Sequence, residues 1–506
     1  MSRVTEVLGK QKSAVTNDNM EEERGYVSDT SEVSSVLDDG GEILVRQLSK
    51  AQFYVDFNKI RRLVKPRNHH TNIVKYYRID DDDTFYYLYV ERCGTTSFNL
   101  YDLVQEDSAN FRPSEDAKND GQCSSSAAVQ IKERSESVTD SVRNFTLVLD
   151  NGYPSPLLLK LMREMLLGLV QLHDKLDIIH GELKLQNVLI SKDINGDLCA
   201  KLSDIGIRKQ NPRRTTGKYF HFPNQFEAGS DSGIYPKHNL SGVFAQGVPY
   251  QGVIYESVDA PNRWTQTTIQ GPNYKGRFSS SRSRRVFVKG ATDMEALGRI
   301  FAYCINGVPL FDNTKTVATK RGSSLSDCPE ALDLYSSLLN QDLEDRPRAI
   351  EALRHPLFWN PEKKLRFLCD AYQRCDHRHA KLSNALNRTA QRVIVGKRNG
   401  SEEIVKTWDK RIHEDIYIYM NDHVKTRGDR EYDCNSVLEL LRFIRNMVLD
   451  HGTFPTDVQV TVGSLHKDFY SYFESCFPYL LIEVYNAVRH CCGKEEYFSR
   501  YFSGDS

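Results

Sequence analysis

The stretch from Ile178 to Gly206, IIHGELKLQNVLISKDINGDLCAKLSDIG, decides the fold of this chain. It reads as an apolar strand end, a polar loop, a short apolar strand, a turn and a second strand that closes on Asp-Ile-Gly. The pattern therefore indicates two short strands joined by a turn, with a polar loop before the first strand.

The order and spacing of these polar residues resemble the catalytic loop and the magnesium loop of protein kinases. That family has His-Arg-Asp, a lysine two residues later, an asparagine, and Asp-Phe-Gly after a further strand. The equivalent residues here are His180-Gly181-Glu182, Lys184, Asn187 and Asp204-Ile205-Gly206. The resemblance implies an α+β fold with two lobes, in which a shortened β-rich N-lobe precedes a helical C-lobe.

Composition narrows the class of protein. The chain has 506 residues with 67 basic and 68 acidic side chains, so no overall charge favours a nucleic acid or a membrane. Its 11 cysteines form no Cys-x-x-Cys pair, which argues against a disulfide framework or a zinc site. No apolar run approaches the roughly 20 residues of a spanning helix, and the N-terminus lacks the apolar segment of a signal peptide. We therefore expect a soluble protein of the cytoplasm or nucleus.

The N-terminal part of the chain divides into three segments. Residues 1–40 are acidic and Ser-rich, which predicts a disordered tail, and they lack the glycine-rich phosphate loop of kinases. Residues 41–105 contain the pattern of a shortened N-lobe, in which IVKYYRI and FYYLYVERC form a hairpin. Residues 106–145 have little periodicity, which predicts a flexible insertion.

The C-terminal part is mostly helical. Residues 146–360 have the pattern of a kinase-like C-lobe, interrupted by an expanded, disordered activation segment at about 207–290. Residues 361–506 show helical periodicity almost throughout. We therefore expect a helical domain directly after the C-lobe.

The passage from the C-lobe into the helical tail, HPLFWNPEKKLRFLCDAYQR, is followed by SLHKDFYSYF and FPYLLIEVYNAVR. With ERC, PSPLLLKLMREM, QNVLISKD and KLSDIGI, these phrases resemble the kinase-extension nuclease family. That family comprises the cytosolic half of the unfolded-protein-response sensor kinases, with the plant sensors most similar here, and ribonuclease L. The resemblance covers residues 42–105 and 146–502, whereas the lumenal and membrane segments of the sensors are absent. It implies an all-α kinase-extension nuclease domain at 361–506.

The resemblance also identifies positions of a kinase-like site. Arg46 stands where a kinase has its phosphate-binding lysine, and Lys59 stands where the glutamate partner of that lysine belongs, so two positive charges would repel. Glu182 replaces the catalytic aspartate and is one methylene longer, which displaces the carboxylate. The backbone of Glu91 and Cys93 would face an adenine.

These positions imply ATP or ADP with Mg²⁺ as cofactors. Asn187 and Asp204 are the candidate metal ligands, and Lys184 would face the transferred phosphate. Three interpretations remain, namely an active kinase, a pseudokinase that binds nucleotide, and a purely structural platform. We predict a pseudokinase.

The resemblance identifies a second site in the helical tail. Family members cleave RNA without a metal, and there the 2′-hydroxyl attacks the adjacent phosphate, a tyrosine and a histidine exchange protons, and an Arg-Asn pair holds the phosphate. The equivalent residues are Tyr432 and Arg445-Asn446. The histidine position is Asp450, an anion that repels phosphate, and His451 follows it. A continuing helix would rotate His451 by about 100°, whereas a helix that ends at Asp450 would let His451 swing into the site.

Apolar spacing predicts the buried stripe of this helix, which consists of Val437, Leu440, Leu441, Ile444 and Val448. Arg442, Arg445 and Asn446 then share another face. That face is a solvated polar surface, a site that binds RNA but cleaves it poorly, or a working nuclease completed by His451.

Together these features predict a pseudokinase with weakened or lost ribonuclease activity. It would act by nucleotide binding and by dimerisation, with itself or with an active family member, in stress or RNA-processing signalling. The alternatives are an active, metal-independent endoribonuclease, with or without residual serine/threonine kinase activity, and a nucleotide-responsive binding module. RNA is the expected ligand of the helical tail, and no membrane is expected as a partner.

Overall fold

A computed structural model describes residues 30–36, 42–93, 98–110, 145–149, 152–193, 195–210, 253–257, 264–268, 282–307, 328–376, 380–397 and 403–502. The chain forms two compact units. Most of the first unit comes from residues up to Glu106 and from Gly168–Ile300, and most of the second comes from Phe145–Leu167 and from Phe301 onward.

The first unit begins with strands β1 (Thr30–Val36), β2 (Glu42–Ser49) and β3 (Phe53–Val55), helix α1 (Phe57–Leu63), and strands β4 (Tyr76–Asp81) and β5 (Phe85–Glu91). Four of the strands form an antiparallel sheet in the order β1-β2-β5-β4. The predicted hairpin is therefore confirmed as β4 and β5, which are joined by a short acidic turn.

Alternation of side chains along the strands explains how the sheet is buried. Strand β2 buries Ile43 and Val45, which form one core with Tyr87 and Tyr89 of β5. Successive side chains of a strand point to opposite faces, so Arg46 lies on the face opposite to Val45. The sheet thus presents one arginine away from this apolar cluster.

The next elements are α2 (Leu100–Asn110), α3 (Pro156–Val170), β6 (Val188–Lys192), β7 (Leu198–Leu202), β8 (Ile207–Lys209), β9 (Val253–Ser257), β10 (Trp264–Thr268) and α4 (Arg282–Asn306). Strands β6 and β7 pair antiparallel, and β8 pairs with β3. Asn187 directly precedes β6 and Asp204 follows β7, so this hairpin carries both residues at one end.

The second unit is largely helical. Its helices are α5 (Pro329–Leu338), α6 (Ala349–Leu353), α7 (Pro361–Asp376), α8 (Ala380–Arg388), α9 (Ala390–Val393), α10 (Glu414–Thr426), α11 (Val437–Asp450), α12 (Thr456–Val462), α13 (Lys467–Cys476), α14 (Leu480–Cys492) and α15 (Ser499–Phe502). One apolar core that includes Phe367, Trp408 and Phe443 runs through it, and α11 packs against α7 and α8. Besides helices, the predicted all-α domain contains one pair of two-residue strands, β11 (Gly396–Lys397) and β12 (Ile404–Val405).

Several expectations fall partly on undescribed residues. Residues 1–29, 111–144 and 211–252 lie outside the described ranges. The segment predicted to lack structure, at about 207–290, includes β8, β9, β10 and the start of α4. The predicted domain limits stay predictions. Within the described ranges, none of the helices combines the length and the apolar character that a membrane crossing requires.

Candidate functional sites

The predicted kinase-like residues of the first unit are called the cleft site below. They are Arg46, Glu182, Lys184, Asn187 and Asp204. An ion pair joins Arg46 of β2 to Asp204, which follows β7. Arg46 Nη1 donates to Asp204 Oδ1, and Nη2 lies 3.5 Å from Oδ2. Such a two-point contact engages both oxygens of the carboxylate. The residue predicted to bind phosphate thus binds the predicted metal ligand instead.

Backbone geometry fixes the Asp-Ile-Gly turn in place. Asp204 has φ 58°, in the left-handed region that few residues other than glycine adopt. Ile205 N donates to the hydroxyl of Tyr76 at 3.2 Å. Burial, reinforced by the nearby Asp204 carboxylate, raises the pKa of Tyr76, so its hydroxyl stays neutral and accepts this hydrogen bond.

The other charged residues of the cleft site also have partners within the chain. Lys184 Nζ donates to Glu182 Oε1 at 3.1 Å. Lys59 Nζ donates to Ile179 O at 2.8 Å. Arg46 and Lys59 thus each contact an acceptor of their own, and neither is the partner of the other in these contacts.

Glu91 and Cys93 lie at the end of β5. Glu91 Oε1 accepts from Lys75 N at 2.9 Å and from Lys201 Nζ at 2.8 Å. Cys93 is buried, which raises the pKa of its thiol to about 12 and keeps it protonated. These contacts order the chain at the predicted adenine position, and the contact with adenine itself stays a prediction.

The candidate Mg²⁺ ligand Asp204 is paired with an arginine in this structure, and whether the cleft site holds Mg²⁺ stays a prediction. Both carboxylate oxygens of Asp204 face the Arg46 guanidinium, whose charge repels a cation. Asn187 is buried, and its Nδ2 donates to Glu182 O at 2.8 Å. Among the described residues, no group of three or more His, Cys, Asp or Glu side chains has a metal-binding arrangement.

Asp293 of α4 holds the backbone of the catalytic-loop region at His180 and Gly181. Its carboxylate accepts from His180 N at 2.8 Å and from Gly181 N at 2.9 Å, and its Oδ2 lies 2.8 Å from His173 Nε2. Although burial alone would raise the pKa of Asp293, these partners lower it overall. Sequence reasoning missed this residue, although an aspartate among Ala291, Met294 and Leu297, which recur at helical spacing, is a signal for it.

The predicted ribonuclease residues of the second unit are called the helical site below. They are Tyr432, Arg445 and Asn446. Asn446 Nδ2 donates to Tyr432 Oη at 3.0 Å, and Arg445 Nη1 donates to Asn446 Oδ1 at 3.2 Å. Burial raises the pKa of Tyr432, partly offset by the Asn446 hydrogen bond, so the phenol is neutral at neutral pH. Asn446 therefore contacts both of the other predicted ribonuclease residues, Tyr432 and Arg445.

Arg442 supports this cluster from within the protein. Its guanidinium carbon lies 4.5 Å from the centre of the Tyr432 ring, and its Nη1 lies 2.8 Å from Glu439 Oε2. Arg442 is buried at 8% exposure, so the prediction of a solvated polar face is wrong for this residue. Val448, predicted to be buried, is only half-buried, and Met447 is fully buried instead. Arg442 is buried because Glu439 and Tyr432 provide partners for its guanidinium inside the fold.

Asp450 is the last residue of α11 and is buried. Arg427 Nη2 lies 3.2 Å from its Oδ1, and His423 Nε2 lies 3.5 Å from its Oδ2. The carboxylate thus has two partners from the α10 region, neither of which sequence reasoning identified. Their signal in the sequence is weak, because a histidine and an arginine four residues apart at the end of a helix are ordinary there.

His451 begins a 3-10 turn rather than extending α11. Of the two alternatives left open by the sequence, the structure therefore has the helix that ends at Asp450. The histidine nevertheless does not join the helical site, since its Nε2 donates to Gly463 O at 3.1 Å. Its ring packs against Phe454 and Phe469 at centroid distances of 5.5 and 5.8 Å. The interpretation in which His451 completes the site is not supported by these contacts.

Comparisons with known proteins identify relatives of this chain. Residues 364–502 match the family described as Ribonuclease 2-5A. The chain is 34% identical over 478 residues to the serine/threonine-protein kinase/endoribonuclease IRE1a of Arabidopsis thaliana, which covers 92% of this chain and 48% of that protein. The chain is homologous to the IRE1 serine/threonine-protein kinase/endoribonucleases, and its residues 364–502 match a ribonuclease family. The resemblance predicted from the sequence is thereby confirmed.

Two further relatives show the range of these similar proteins. An Arabidopsis thaliana protein named inactive serine/threonine-protein kinase/endoribonuclease IRE1-like is 28% identical over 86% of this chain and 69% of its own length. The protein named sensor for unfolded proteins in the ER ire1, of Schizosaccharomyces pombe, is 25% identical over 94% of this chain and 38% of its own length. This chain spans about half the length of the curated relatives that it matches, as the 48% coverage of IRE1a shows.

The two sites of this chain thus differ from each other in the contacts of their predicted residues. The cleft site brings its predicted residues together but pairs them with one another. The helical site brings together Tyr432, Arg445 and Asn446, while Asp450 contacts Arg427 and His423 instead. The roles of these residues in binding or catalysis stay predictions.

Proposed function

We propose that this chain is a pseudokinase joined to a weakened ribonuclease. It pairs with itself or with an active family member in stress or RNA-processing signalling, and it contributes a folded platform rather than phosphoryl transfer. Its homology to relatives that are named kinase/endoribonucleases supports the setting, and the geometry of the cleft site supports the loss of kinase chemistry.

The ion pair between Arg46 and Asp204 carries the kinase half of this proposal. Phosphoryl transfer depends on cations that neutralise the charge developing on the phosphate, and a carboxylate after the second strand holds one of them. Here a guanidinium already neutralises that carboxylate. A cation brought to Asp204 would meet a repulsion of about 4 kcal/mol for each pair of unit charges at about 4 Å.

Glu182 adds a second obstacle. Its carboxylate replaces the catalytic aspartate, and Lys184 Nζ donates to it at 3.1 Å. A base that abstracts a proton must come within hydrogen-bond reach of the substrate hydroxyl. Both the carboxylate and the lysine that would contact phosphate are instead engaged with each other.

A phosphoryl-transfer assay tests this half. The purified chain, with labelled ATP, Mg²⁺ and a Ser/Thr peptide, is expected to incorporate no more label than its Asp204→Asn variant. The matched control is Asp197→Asn, an exposed aspartate in the same β6–β7 hairpin. Incorporation by the unmodified chain that Asp204→Asn abolishes and Asp197→Asn preserves would contradict the proposal.

The ribonuclease half depends on Asp450. An acid–base histidine is replaced by a carboxylate that Arg427 and His423 surround, which favours slow cleavage at best. The expected rate on a stem-loop RNA in EDTA is therefore far below that of the kinase–nuclease part of IRE1a. Equal rates for the two proteins would contradict the weakened ribonuclease.

Pairing is tested by sedimentation velocity of the chain alone and mixed with the kinase–nuclease part of IRE1a. We expect a species with the mass of two chains, and a mixed species when both proteins are present. A monomer at every concentration, alone and in the mixture, would remove pairing from the proposal.

An active endoribonuclease is the second candidate, and one observation favours it. Asn446 already contacts both Tyr432 and Arg445, as a preorganised site requires. Cleavage in EDTA that Tyr432→Phe abolishes would support this candidate, because the phenylalanine keeps the buried ring and removes only the hydroxyl.

A further inference from the structure

Asp450 faces an imidazole that comes from a neighbouring helix. His423 lies near the end of α10, and its Nε2 is 3.5 Å from Asp450 Oδ2. That separation is longer than a good hydrogen bond, as contacts of catalytic groups commonly are before substrate binds. The position at which the family has a histidine thus has one beside it, 27 residues earlier in the sequence.

The contact places His423 next to the helical site. Asn446 and Asp450 are four residues apart on α11, so their side chains are neighbours on one face. Asn446 Nδ2 donates to Tyr432 Oη, and Asp450 contacts His423. Tyr432 and His423 therefore contact residues of α11 that lie about one helical turn apart.

The groups around His423 determine which ring nitrogen is available. Nε2 is buried and makes no hydrogen bond to the residues that the structure describes, but the Asp450 carboxylate 3.5 Å away can only accept, so its charge favours the tautomer with hydrogen on Nε2. Nδ1 is then the basic nitrogen. Tyr419 stacks on the ring with a centroid distance of 5.9 Å, and the side chain keeps 28% exposure. The imidazole is therefore oriented by its neighbours and still reachable from solvent.

Arg427 removes the main objection to a carboxylate at this place. Its Nη2 lies 3.2 Å from Asp450 Oδ1, and its own side chain is 55% exposed. The guanidinium therefore offsets the negative charge that would repel an RNA phosphate. Arg427, Asp450 and His423 together carry no net negative charge.

We propose that His423, positioned by Asp450, is the proton acceptor of the ribonuclease site and acts opposite Tyr432 in RNA cleavage. The inference rests on the residual ribonuclease activity of the proposed function. His423 Nδ1 takes the proton of the 2′-hydroxyl, the 2′-oxygen bonds to phosphorus, and the bond from phosphorus to the 5′-oxygen breaks. Tyr432 gives its phenolic proton to that leaving oxygen. The products are a 2′,3′-cyclic phosphate and a 5′-hydroxyl, and solvent returns a proton from His423 to Tyr432.

The neutral phenol of Tyr432 suits this role. Its oxygen accepts from Asn446, which leaves its own hydrogen to be donated to the substrate. His451 is not the proton acceptor in this arrangement, because its Nε2 donates to Gly463 O and its ring packs against Phe454 and Phe469.

The experiment is cleavage of a short stem-loop RNA by the full chain in EDTA, with cyclic-phosphate ends measured. We expect slow cleavage that falls about 100-fold or more in His423→Gln. The matched control is His413→Gln, an exposed histidine at the other end of α10, which is expected to cleave at the unmodified rate. RNA affinity, measured by anisotropy, should change less than about twofold in His423→Gln, because Arg445 and Asn446 are intact.

Asp450 is a positioning residue, so its variant needs a different readout. Asp450→Asn should lower the rate and shift the pH–rate profile, because the amide no longer fixes the Nε2–H tautomer, while RNA affinity is retained. In an Asp450→His background, His423→Gln should have little further effect, because the family histidine then stands in its own place.

Two outcomes overturn the inference. The first is cleavage by His423→Gln at the unmodified rate, and the second is no cleavage by the unmodified chain above the Tyr432→Phe background. In the second case the weakened ribonuclease of the proposed function still stands, since that proposal requires only slow or absent cleavage. Loss of cleavage in His451→Gln with His423→Gln unchanged would assign the role to His451 instead.

Discussion

The cleft site of the first unit and the helical site of the second have departed from the family pattern in different ways. In the cleft site, the replaced residues are Arg46, Lys59 and Glu182. Two of them form ion pairs with retained residues, Arg46 with Asp204 and Glu182 with Lys184. In the helical site, one replacement at Asp450 is compensated by two residues of the α10 region. The asparagine still contacts both the tyrosine and the arginine.

The difference lies in where the compensating charge comes from. A buried or half-buried charge needs a partner, and the nearest available group supplies it. In the cleft site those partners are themselves the residues that phosphoryl transfer needs, so compensation removes function. In the helical site Arg427 and His423 are additional residues, so compensation leaves Tyr432 and Asn446 unchanged. One substitution should therefore repair the second site and not the first.

The largest expected effect is that of Asp450→His on RNA cleavage. The substitution returns an acid–base imidazole to its family position beside Asn446, and such a group contributes about 10²- to 10⁴-fold to a rate. The measurement is the initial rate on a stem-loop RNA in EDTA. Asp450→Asn is the matched control, because it removes the carboxylate without adding an imidazole.

The same comparison requires that no single change restores the kinase. Arg46→Lys is expected to give no phosphoryl transfer, since Glu182 and Lys59 remain. Transfer by Arg46→Lys, or an Asp450→His variant no faster than Asp450→Asn, would break the distinction between the two sites.

The second prediction concerns Asp293, the buried carboxylate of the first unit. Asp293→Ala leaves the N–H groups of His180 and Gly181 without their acceptor, which should lower the free energy of unfolding by about 3–5 kcal/mol. Hydrogen exchange of peptides covering 178–206 should accelerate accordingly. Glu295→Gln, an ion-pair partner of Arg299 on the same helix, should change stability by only about 0.5 kcal/mol.

The pKa of Asp293 gives the pH dependence of this effect. The folded-state pKa is lowered, because the hydrogen bonds outweigh burial. The stabilisation is therefore present above the unfolded pKa of the group and is lost as the pH falls through the folded pKa. Hydrogen-exchange protection factors of residues 178–206 that stay constant with pH down to the acid range in the unmodified chain would contradict this account.

Much of the fold could be predicted from the sequence, because local patterns determine it. The alternation in FYYLYVERC predicted β5, and the apolar spacing in SVLELLRFIRNMVLD predicted α11, since both signals come from consecutive residues. The sequence left open whether α11 continues past Asp450 or ends there, and the glycine at 452 is compatible with the end that the structure has.

Partner choice could not be predicted in the same way. Arg46 and Asp204 are separated by 158 residues, and nothing local indicates that an arginine on β2 will reach a carboxylate after β7. Periodicity placed Arg442 on the face away from the apolar stripe, for which a solvated surface was one interpretation, yet Glu439 and Tyr432 hold it inside the protein. Periodicity specifies which face a residue occupies, whereas the partner on that face depends on the tertiary structure.

The third prediction compares the pH dependence of stability in the two units. It concerns a second buried carboxylate, Glu330 of α5. Burial raises its pKa to about 7, only partly opposed by Lys364. Since the folded state then binds the proton more tightly, this group favours folding below about pH 4.5 and that contribution is lost as the pH rises to about 7. The sign is opposite to that of Asp293.

Glu330→Gln should therefore stabilise the second unit at pH 8 by about 2–3 kcal/mol and flatten its pH dependence. The measurement is urea unfolding at pH 5 and pH 8, followed by the fluorescence of the buried Trp359 and Trp408. The exposed Glu344 provides the control, as Glu344→Gln should leave the curves at both pH values unchanged. Equal stabilisation at pH 5 and pH 8 would mean that Glu330 is not the titrating group.

The smallest expected effect tests whether Arg46 is what keeps Mg²⁺ from the cleft site. A lysine at this position keeps the positive charge but cannot engage both oxygens of Asp204, so one of them becomes available to a cation. At ten times the Kd of Mg·ADP, binding would stabilise Arg46→Lys by about 1.4 kcal/mol. The thermal transition should rise with ADP and Mg²⁺ in this variant and stay constant in the unmodified chain. A magnesium-dependent rise in the unmodified chain would show instead that Asp204 exchanges its arginine for a metal, and the cleft site would then be a nucleotide site that the ion pair closes only in the absence of ligand.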